Sequence, residues 1–232
     1  IIGKQEIAKG YIELGKKEGS EYFKKAEDAV LEIYDLDVRN EVILKLIKTY
    51  IEMNENDKAI EFLERTENMI SKIEDFEDKR KITLGIANCY IELSKRENIE
   101  YLKKAEELTT KINSGFQSKS KILLEILKCY IGLWRKEKLE YFKEAEDLTL
   151  KIDNADIRNE GVLEVVKSYI RINKKKEAMI FLKKIENIDN LKSLIPIVRK
   201  EFMERFSLEQ HIQKLEKIYN SFNNQEPRIR NN

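Results

Sequence analysis

The stretch CYIELSKRENIEYLKKAE, residues 89–106, decides how this chain folds, because the rest of the sequence repeats it. Its first tyrosine, Tyr90, has counterparts at Tyr11, Tyr50, Tyr130 and Tyr169. The intervals between consecutive copies are 39, 40, 40 and 39 residues. A fixed period in this range is the signature of tandem structural repeats that stack into an elongated array.

Each repeat has the apolar spacing of two amphipathic helices. In the second repeat the apolar residues fall at i, i+3, i+4, i+7 and i+8, namely Ile43, Leu46, Ile47, Tyr50 and Ile51. This spacing places them on one helix face and is incompatible with a strand. A polar break at residues 54–57 precedes a second run with inward apolar residues at Ile60, Leu63, Met69, Ile70 and Ile73. The sequence therefore predicts a pair of helices in every repeat.

The same pattern predicts helices near residues 78–93, 97–112, 118–133 and 137–152. An apolar residue, interpreted as a plug between successive pairs, recurs fourteen residues before each tyrosine, at Leu36, Phe76, Phe116 and Ala155. The next residue in each copy is a candidate N-cap for the first helix, namely Asp37, Glu77, Gln117 and Asp156. Asp57 is the candidate N-cap of a second helix.

The period fails after residue 188. Pro196 fits a first helical turn, and the Ser207-x-x-Gln210 pattern is a capping box, so we predict a final helix pair at 193–206 and 207–222 that caps the array. Residues 223–232 are polar and are expected to be disordered. Because the first tyrosine stands ten residues from the start, we expect the first helix to be truncated and the chain to be a piece of a longer protein.

The repeats resemble the tetratricopeptide repeat family. The second repeat carries the resemblance best, at Leu46, Tyr50, Ala59, Leu63 and Thr66. The period exceeds the family's 34 residues and is close to that of HEAT repeats, and the family's tryptophan and closing proline are absent. The expected fold is all-α: a right-handed α-solenoid of about five antiparallel helix pairs over residues 1–188, followed by capping helices at 189–222.

Composition limits the function classes. The chain has 44 Lys and Arg against 43 Asp and Glu, a net charge of +1, which disfavours a strongly basic nucleic-acid binder. No apolar run could cross a membrane and no signal peptide is visible, so we expect a cytoplasmic protein. High Lys, Glu and Ile with two prolines resembles thermophile usage.

The sequence offers no catalytic or cofactor motif. It has one histidine, His211, and no phosphate-binding, zinc-protease or nucleophile-elbow string. Acidic pairs such as Glu106-Glu107 recur once per repeat, which is typical of a solvated helix face. We therefore expect no enzyme, no cofactor and no metal. Cys89 and Cys129 share one small-residue position, too far apart on stacked helices for a disulfide, so we expect two free thiols.

The tyrosine-bearing helices carry the candidate binding residues. Two residues before each tyrosine stand Lys9, Lys48, Asn88, Lys128 and Lys167. Two residues after it stand Glu13, Glu52, Glu92, Gly132 and Arg171. Their spacing of four permits Lys9 to pair with Glu13, and Lys48 with Glu52. The acidic residue after the tyrosine is lost in the last two repeats. We therefore expect the C-terminal half of the surface formed by the tyrosine-bearing helices to be positively charged.

In tetratricopeptide arrays the tyrosine-bearing helix lines a concave groove. Carboxylate-clamp members hold a peptide's acidic terminus with Lys and Asn at the position of Lys48, Asn88 and Lys128. Trp134 is a further candidate, because the other copies have residues expected to form turns at its position, namely Gly15, Asn54, Ser94 and Asn173. It either packs across a turn or forms a hot spot for a partner.

The favoured function is a non-catalytic scaffold that binds a protein or acidic peptide in its groove. The candidate site residues are Lys48, Asn88, Lys128, Lys167, Arg171 and Trp134. Two alternatives stay open: nucleic-acid binding through the lysine series, and a structural or self-assembling subunit.

Overall fold

The computed structural model describes residues 3–96, 98–113, 115–134, 140–186 and residue 200. These residues form ten α-helices and no strand. The helices are α1 (Lys4–Glu18), α2 (Glu21–Leu31), α3 (Leu36–Glu52), α4 (Asn56–Ile70), α5 (Phe76–Arg96), α6 (Ile99–Thr110), α7 (Gln117–Trp134), α8 (Glu140–Lys151), α9 (Ala155–Arg171) and α10 (Lys175–Glu186). The all-α prediction is confirmed, and the predicted helix bounds in the third and fourth repeats are right to within one turn.

The chain divides into two compact units, residues 1–158 and 159–232. In the first unit α1 packs on α2, α3 on α4, α5 on α6 and α7 on α8. In addition α1 packs on α3, α3 on α5 and α5 on α7, and α2, α4 and α6 pack on the first helix of the following pair. This packing between neighbouring helices fits a helical solenoid.

The second unit contains most of α9 and all of α10 among its described residues. Val162, Val165, Ala178, Phe181 and Leu182 are fully buried. The predicted capping helices and the predicted tail lie outside the described residues, except Lys200, which is helical.

The repeated tyrosine is a core residue. Tyr50, Tyr90 and Tyr130 are at most 1% exposed, and Tyr169 is 8% exposed. They are accompanied on the same helix face by apolar residues such as Ile43, which the helical spacing places inward. Burying this face provides the main stabilisation of each pair, because apolar area removed from water is the dominant favourable term in folding.

For α3, α5 and α9 the N-caps lie two residues earlier than the sequence predicts, and the predicted cap Gln117 is instead the first residue of α7. The carboxylate of Asp35 accepts a hydrogen bond from the Val38 amide at 2.9 Å, and Asp75 caps α5 in the same way. The side chain of Asn154 does so for α9. The predicted caps Asp37 and Asp156 instead lie in the first turn, where a negative charge favours the helix dipole. The prediction of Asp57 is also wrong, since α4 begins at Asn56.

The apolar residues that follow these caps begin the helices. Phe76 is the first residue of α5, and its ring lies 6.0 Å from that of Phe116, between centroids. The guanidinium of Arg80 stacks 4.3 Å above the Phe116 ring. These contacts join successive pairs, but Phe76 is exposed and Phe116 half-buried, so their interpretation as plugs between pairs stays a prediction.

Long side chains connect successive second helices. Glu27 on α2 lies 2.6 Å from Arg65 on α4, and Glu106 on α6 lies 2.7 Å from Lys151 on α8. Lys104 on α6 likewise reaches Glu64 on α4 at 3.1 Å. The second helices of the first unit are therefore joined mainly by the ends of long side chains, whereas its first helices are in direct contact.

Candidate functional site

The candidate site lies on the first-helix surface, which we define as the exposed side chains of α1, α3, α5 and α7. Residues two positions before each tyrosine point away from the core that the tyrosine occupies. Lys48 on α3 and Asn88 on α5 are exposed, while Lys128 on α7 is half-buried. Because α3, α5 and α7 pack consecutively, the three residues stand at the same level of neighbouring helices.

Two of these residues are unengaged. Neither Lys48 nor Asn88 forms a side-chain hydrogen bond or ion pair with another residue in the described part of the chain. Lys128 is engaged, because its ammonium lies 3.3 Å from Glu125 on the same helix. Lys48 and Asn88 are therefore available to a ligand without the loss of an internal contact.

The charged residues of α1 and α3 pair between helices and not within them. Lys9 on α1 lies 3.0 Å from Glu41 on α3, and Lys45 on α3 lies 3.0 Å from Glu13 on α1. The Lys45 contact lowers the pKa of the Glu13 carboxyl. The expected Lys9–Glu13 pair is thus replaced by two reciprocal pairs across the α1–α3 contact.

The expected Lys48–Glu52 pair is also absent among the described residues, since Glu52 lies 3.9 Å from Lys16 on α1. A further interhelix pair joins Lys81 on α5 to Asp37 on α3, at 3.1 Å. These exposed pairs add little to stability, but they fix the orientation of the side chains that surround Lys48.

The later repeats replace the lost acidic residue at another position. Lys128 finds Glu125, and in the second unit Lys167 lies 3.5 Å from Glu164, three residues before it in α9. Arg171, the last residue of α9, is exposed. The expected excess of unpaired positive charge at Lys128 and Lys167 is therefore reduced, because each lysine pairs with a glutamate three residues before it.

Two shallow hollows lie on the first-helix surface. The first, about 390 Å³, centres on α3 and includes Lys48, Leu44 and Thr49. The second, about 490 Å³, lies between α5 and α7 and includes Asn88, Lys121 and Ile122. Gly85 on α5 leaves room for the Leu44 side chain of α3, because a Cβ at that position would stand 2.3 Å from it. Both hollows are open to solvent and combine apolar walls with cationic or amide groups.

The sequence reasoning missed Lys121. It is exposed beside Asn88 in the second hollow and forms no ion pair within the described ranges. It stands nine residues before Tyr130, where Lys81 precedes Tyr90 by the same interval. Comparison of this position across the repeats would have revealed it.

Trp134 is the last residue of α7, and its side chain lies outside the described ones. Its position is not a turn in every repeat, contrary to expectation. Gly15 and Ser94 are buried residues inside α1 and α5, whereas Asn54 and Asn173 adopt positive φ after their helices end. The repeats therefore differ in how far their first helix extends.

Cys89 is buried and Cys129 half-buried, both as free thiols. Burial raises the pKa of Cys89 to about 12 and also raises that of Cys129, which disfavours the reactive thiolate. Within the described ranges no three His, Cys, Asp or Glu side chains are grouped as metal ligands.

None of the helices in the described part of the chain has the length and apolar character needed to span a bilayer. No family model and no curated protein matches the sequence.

Proposed function

We propose that the chain is a non-catalytic, tetratricopeptide-like scaffold that binds an acidic peptide segment on its first-helix surface. The proposal retains the right-handed array of about five helix pairs that the sequence predicts. The observation that carries it is the placement of Lys48 and Asn88, exposed and unengaged within the described residues, on consecutive packed helices.

The packing of the first unit supports a concave first-helix surface. Its first helices contact one another directly, and the second helices are joined across larger gaps by pairs such as Glu27–Arg65. A two-layer array bends toward the layer whose members are closer together. A peptide on this side could contact several helices at once.

The chemistry of this surface suits a carboxylate. Lys48 supplies an ammonium group, Asn88 supplies an amide donor, and Lys121 adds a second ammonium group in the hollow beside Asn88. Hydrogen bonds to a charged acceptor are stronger than neutral ones. The shallow, open hollows fit an extended chain better than an enclosed small molecule.

A peptide array with free C-terminal carboxylates tests the proposal. The tightest binder would be labelled with fluorescein and titrated by fluorescence anisotropy against the wild type, Lys48→Ala and Asn88→Ala. Each substitution is expected to weaken binding about tenfold, corresponding to loss of a charge-assisted hydrogen bond of about 1.5 kcal/mol. Amidation of the peptide should have a similar effect if its terminus is the recognised group.

Lys24→Ala is the matched control, because Lys24 is an exposed lysine on α2, outside the first-helix surface. Equal weakening by Lys24→Ala and Lys48→Ala would contradict the proposed site. A single-stranded oligonucleotide that binds more tightly than every peptide, with steep salt dependence, would favour the nucleic-acid alternative instead.

A further inference from the structure

The junction between the second and third helix pairs contains an apolar pocket of about 480 Å³. Its apolar lining comes from the ends of α4 and α6 and the start of α5: Ile70, Leu108, Ile112 and Phe76. Phe76 is 47% exposed. The repeat therefore leaves an aromatic ring accessible beside a cluster of aliphatic side chains.

At the next junction, between the third and fourth helix pairs, a lysine at the equivalent position is held by partners within the protein. Lys119, eleven residues before Tyr130, is buried. Its ammonium donates a hydrogen bond to the Ile112 carbonyl at 2.8 Å and lies 3.7 Å from the Asp153 carboxylate. Asp153, which follows α8, and the carbonyl group of Ile112, which follows α6, are thus the partners of Lys119.

Lys79 occupies the same position, eleven residues before Tyr90, and lines the pocket. The residue that follows Ile112 is Asn113, whereas Asp153 follows Ile152 in the next copy. Lys79 accordingly lacks that acidic partner, and it forms no ion pair with any residue in the described ranges. Lys79 therefore lines an apolar pocket without an ion-pair partner among the described residues.

Glu67, which lines the same pocket, also lacks, among the described residues, the ion pair that the equivalent glutamates of the neighbouring repeats form. Glu27 pairs with Arg65 and Glu106 with Lys151. Glu67 accepts a hydrogen bond from Tyr90 but has no ion pair within the described residues, since Lys111 turns to Glu107 at 2.6 Å. Two interactions that close the neighbouring junctions are therefore both missing here.

We propose that this junction pocket binds a large apolar side chain of the partner peptide, with an adjacent peptide carboxylate on Lys79. The inference rests on the proposed function and adds an apolar specificity pocket to it. Charge complementarity at Lys79 favours this occupant, and the pocket is continuous with the proposed site because Arg80 lines both this pocket and the hollow that contains Asn88. A peptide in that hollow passes Arg80 to reach Phe76.

The test uses two fluorescein-labelled acidic peptides that differ at one residue beside an aspartate, which is tryptophan in one and alanine in the other. The wild type is expected to bind the tryptophan peptide at least about tenfold more tightly, the effect of burying one large apolar side chain. Phe76→Ala should reduce this preference to about twofold or less, whereas Lys79→Gln should weaken the binding of both peptides, because both carry the aspartate. Tyr34→Ala, at a 94% exposed aromatic outside the pocket, should preserve the preference.

Lys48→Ala separates the pocket from the proposed groove. If both inferences hold, it weakens both peptides by the same factor and leaves the tryptophan preference intact. Weakening of both peptides without any preference in the wild type overturns the pocket alone. A preference that depends on Phe76 while Lys48→Ala and Asn88→Ala change nothing overturns the groove alone.

Methyl NMR provides a second readout that needs no substitution. The tryptophan peptide should shift the methyl signals of Ile70, Leu108 and Ile112, and the alanine peptide should leave them nearly unchanged. Unshifted methyl signals at saturating tryptophan peptide would overturn the proposal. The proposal would also be overturned if a simple fatty acid displaced the labelled tryptophan peptide as well as the unlabelled peptide does, because the pocket would then be an acyl-chain site.

Discussion

The hydroxyl group of Tyr50 on α3 donates a hydrogen bond of 2.8 Å to the Glu27 carboxylate on α2, in the preceding helix pair. Tyr90 makes the same bond to Glu67, and Tyr130 to Glu106 at 3.1 Å. The repeated tyrosine therefore fills the core with its ring and links one pair to the one before it with its hydroxyl.

Removal of one hydroxyl group should measure this link. Tyr50→Phe and Tyr130→Phe are each expected to lower the free energy of unfolding by about 1.5 kcal/mol, the value for a hydrogen bond to a charged group. Urea denaturation followed by circular dichroism would measure the change. Tyr34→Phe is the control and should have almost no effect, because Tyr34 is 94% exposed. A loss no larger than that of the control would show that the hydroxyl bond contributes nothing net.

Stability should fall at high pH because of the same residues. Burial, and then the hydrogen bond to Glu27, raises the pKa of Tyr50 well above its ordinary value. As the pH rises past about 10, the unfolded chain loses the tyrosine proton and the folded chain keeps it, so unfolding becomes more favourable. The stabilisation is complete below that pH. Urea midpoints between about pH 8 and pH 11 would measure the decline, which should be shallower in Tyr50→Phe. Parallel curves for the two proteins would contradict this assignment.

Two glycines of α1 should respond oppositely to alanine. A Cβ on Gly15 would stand 2.4 Å from the buried ring of Phe23, whereas a Cβ on Gly10 would meet nothing within 4 Å. Gly15→Ala is expected to lower the melting temperature, because overpacking costs about 1–3 kcal/mol. Gly10→Ala is expected to raise the melting temperature, because alanine is more favourable than glycine inside a helix by up to about 1 kcal/mol. Stabilisation by both substitutions would indicate that α1 and α2 pack less closely than described.

The position of the α3 N-cap can be tested with two aspartates. Asp35→Ala should cost about 1 kcal/mol of stability, because it leaves the Val38 amide without its acceptor. Asp37→Ala removes an exposed contact to Lys81 and a negative charge in the first turn, and it should have a smaller effect. Chemical denaturation of the two variants would compare them. A larger loss for Asp37→Ala would return the cap to the position that the sequence predicts.

The two thiols should differ in reactivity. Cys129 is half-buried and should react first with a thiol reagent, whereas Cys89 is fully buried with a pKa raised to about 12 by that burial. Thiol titration of Cys129→Ser and Cys89→Ser variants would follow each group separately. Cys89 should react rapidly only in denaturant. Equal rates for the two native variants would contradict the burial of Cys89.

The sequence predicted the helices well and the details of the candidate site less well. Apolar spacing located helix pairs because it is a local property of the chain, as at Ile43, Ile47 and Tyr50. The exposure of Lys48 and Asn88 followed from the same spacing. Lys121 was missed because only the positions next to the tyrosine were compared. The caps were displaced by two residues because several acidic or amide residues cluster before each helix, and only backbone geometry selects among them.

The sequence by itself therefore determined that the chain forms repeated pairs of amphipathic helices, with the recurring tyrosine on the apolar face of the first helix, since burial of an apolar face dominates the energetics of folding. Tertiary structure decided which charges meet. Lys9 pairs with Glu41 in place of Glu13, and Glu27 joins Tyr50 to Arg65. The many acidic and basic side chains have similar, small pairing energies, so the choice depends on the distances between helices. The same distances leave Lys79 without an ion-pair partner among the described residues, beside the apolar pocket at the second junction.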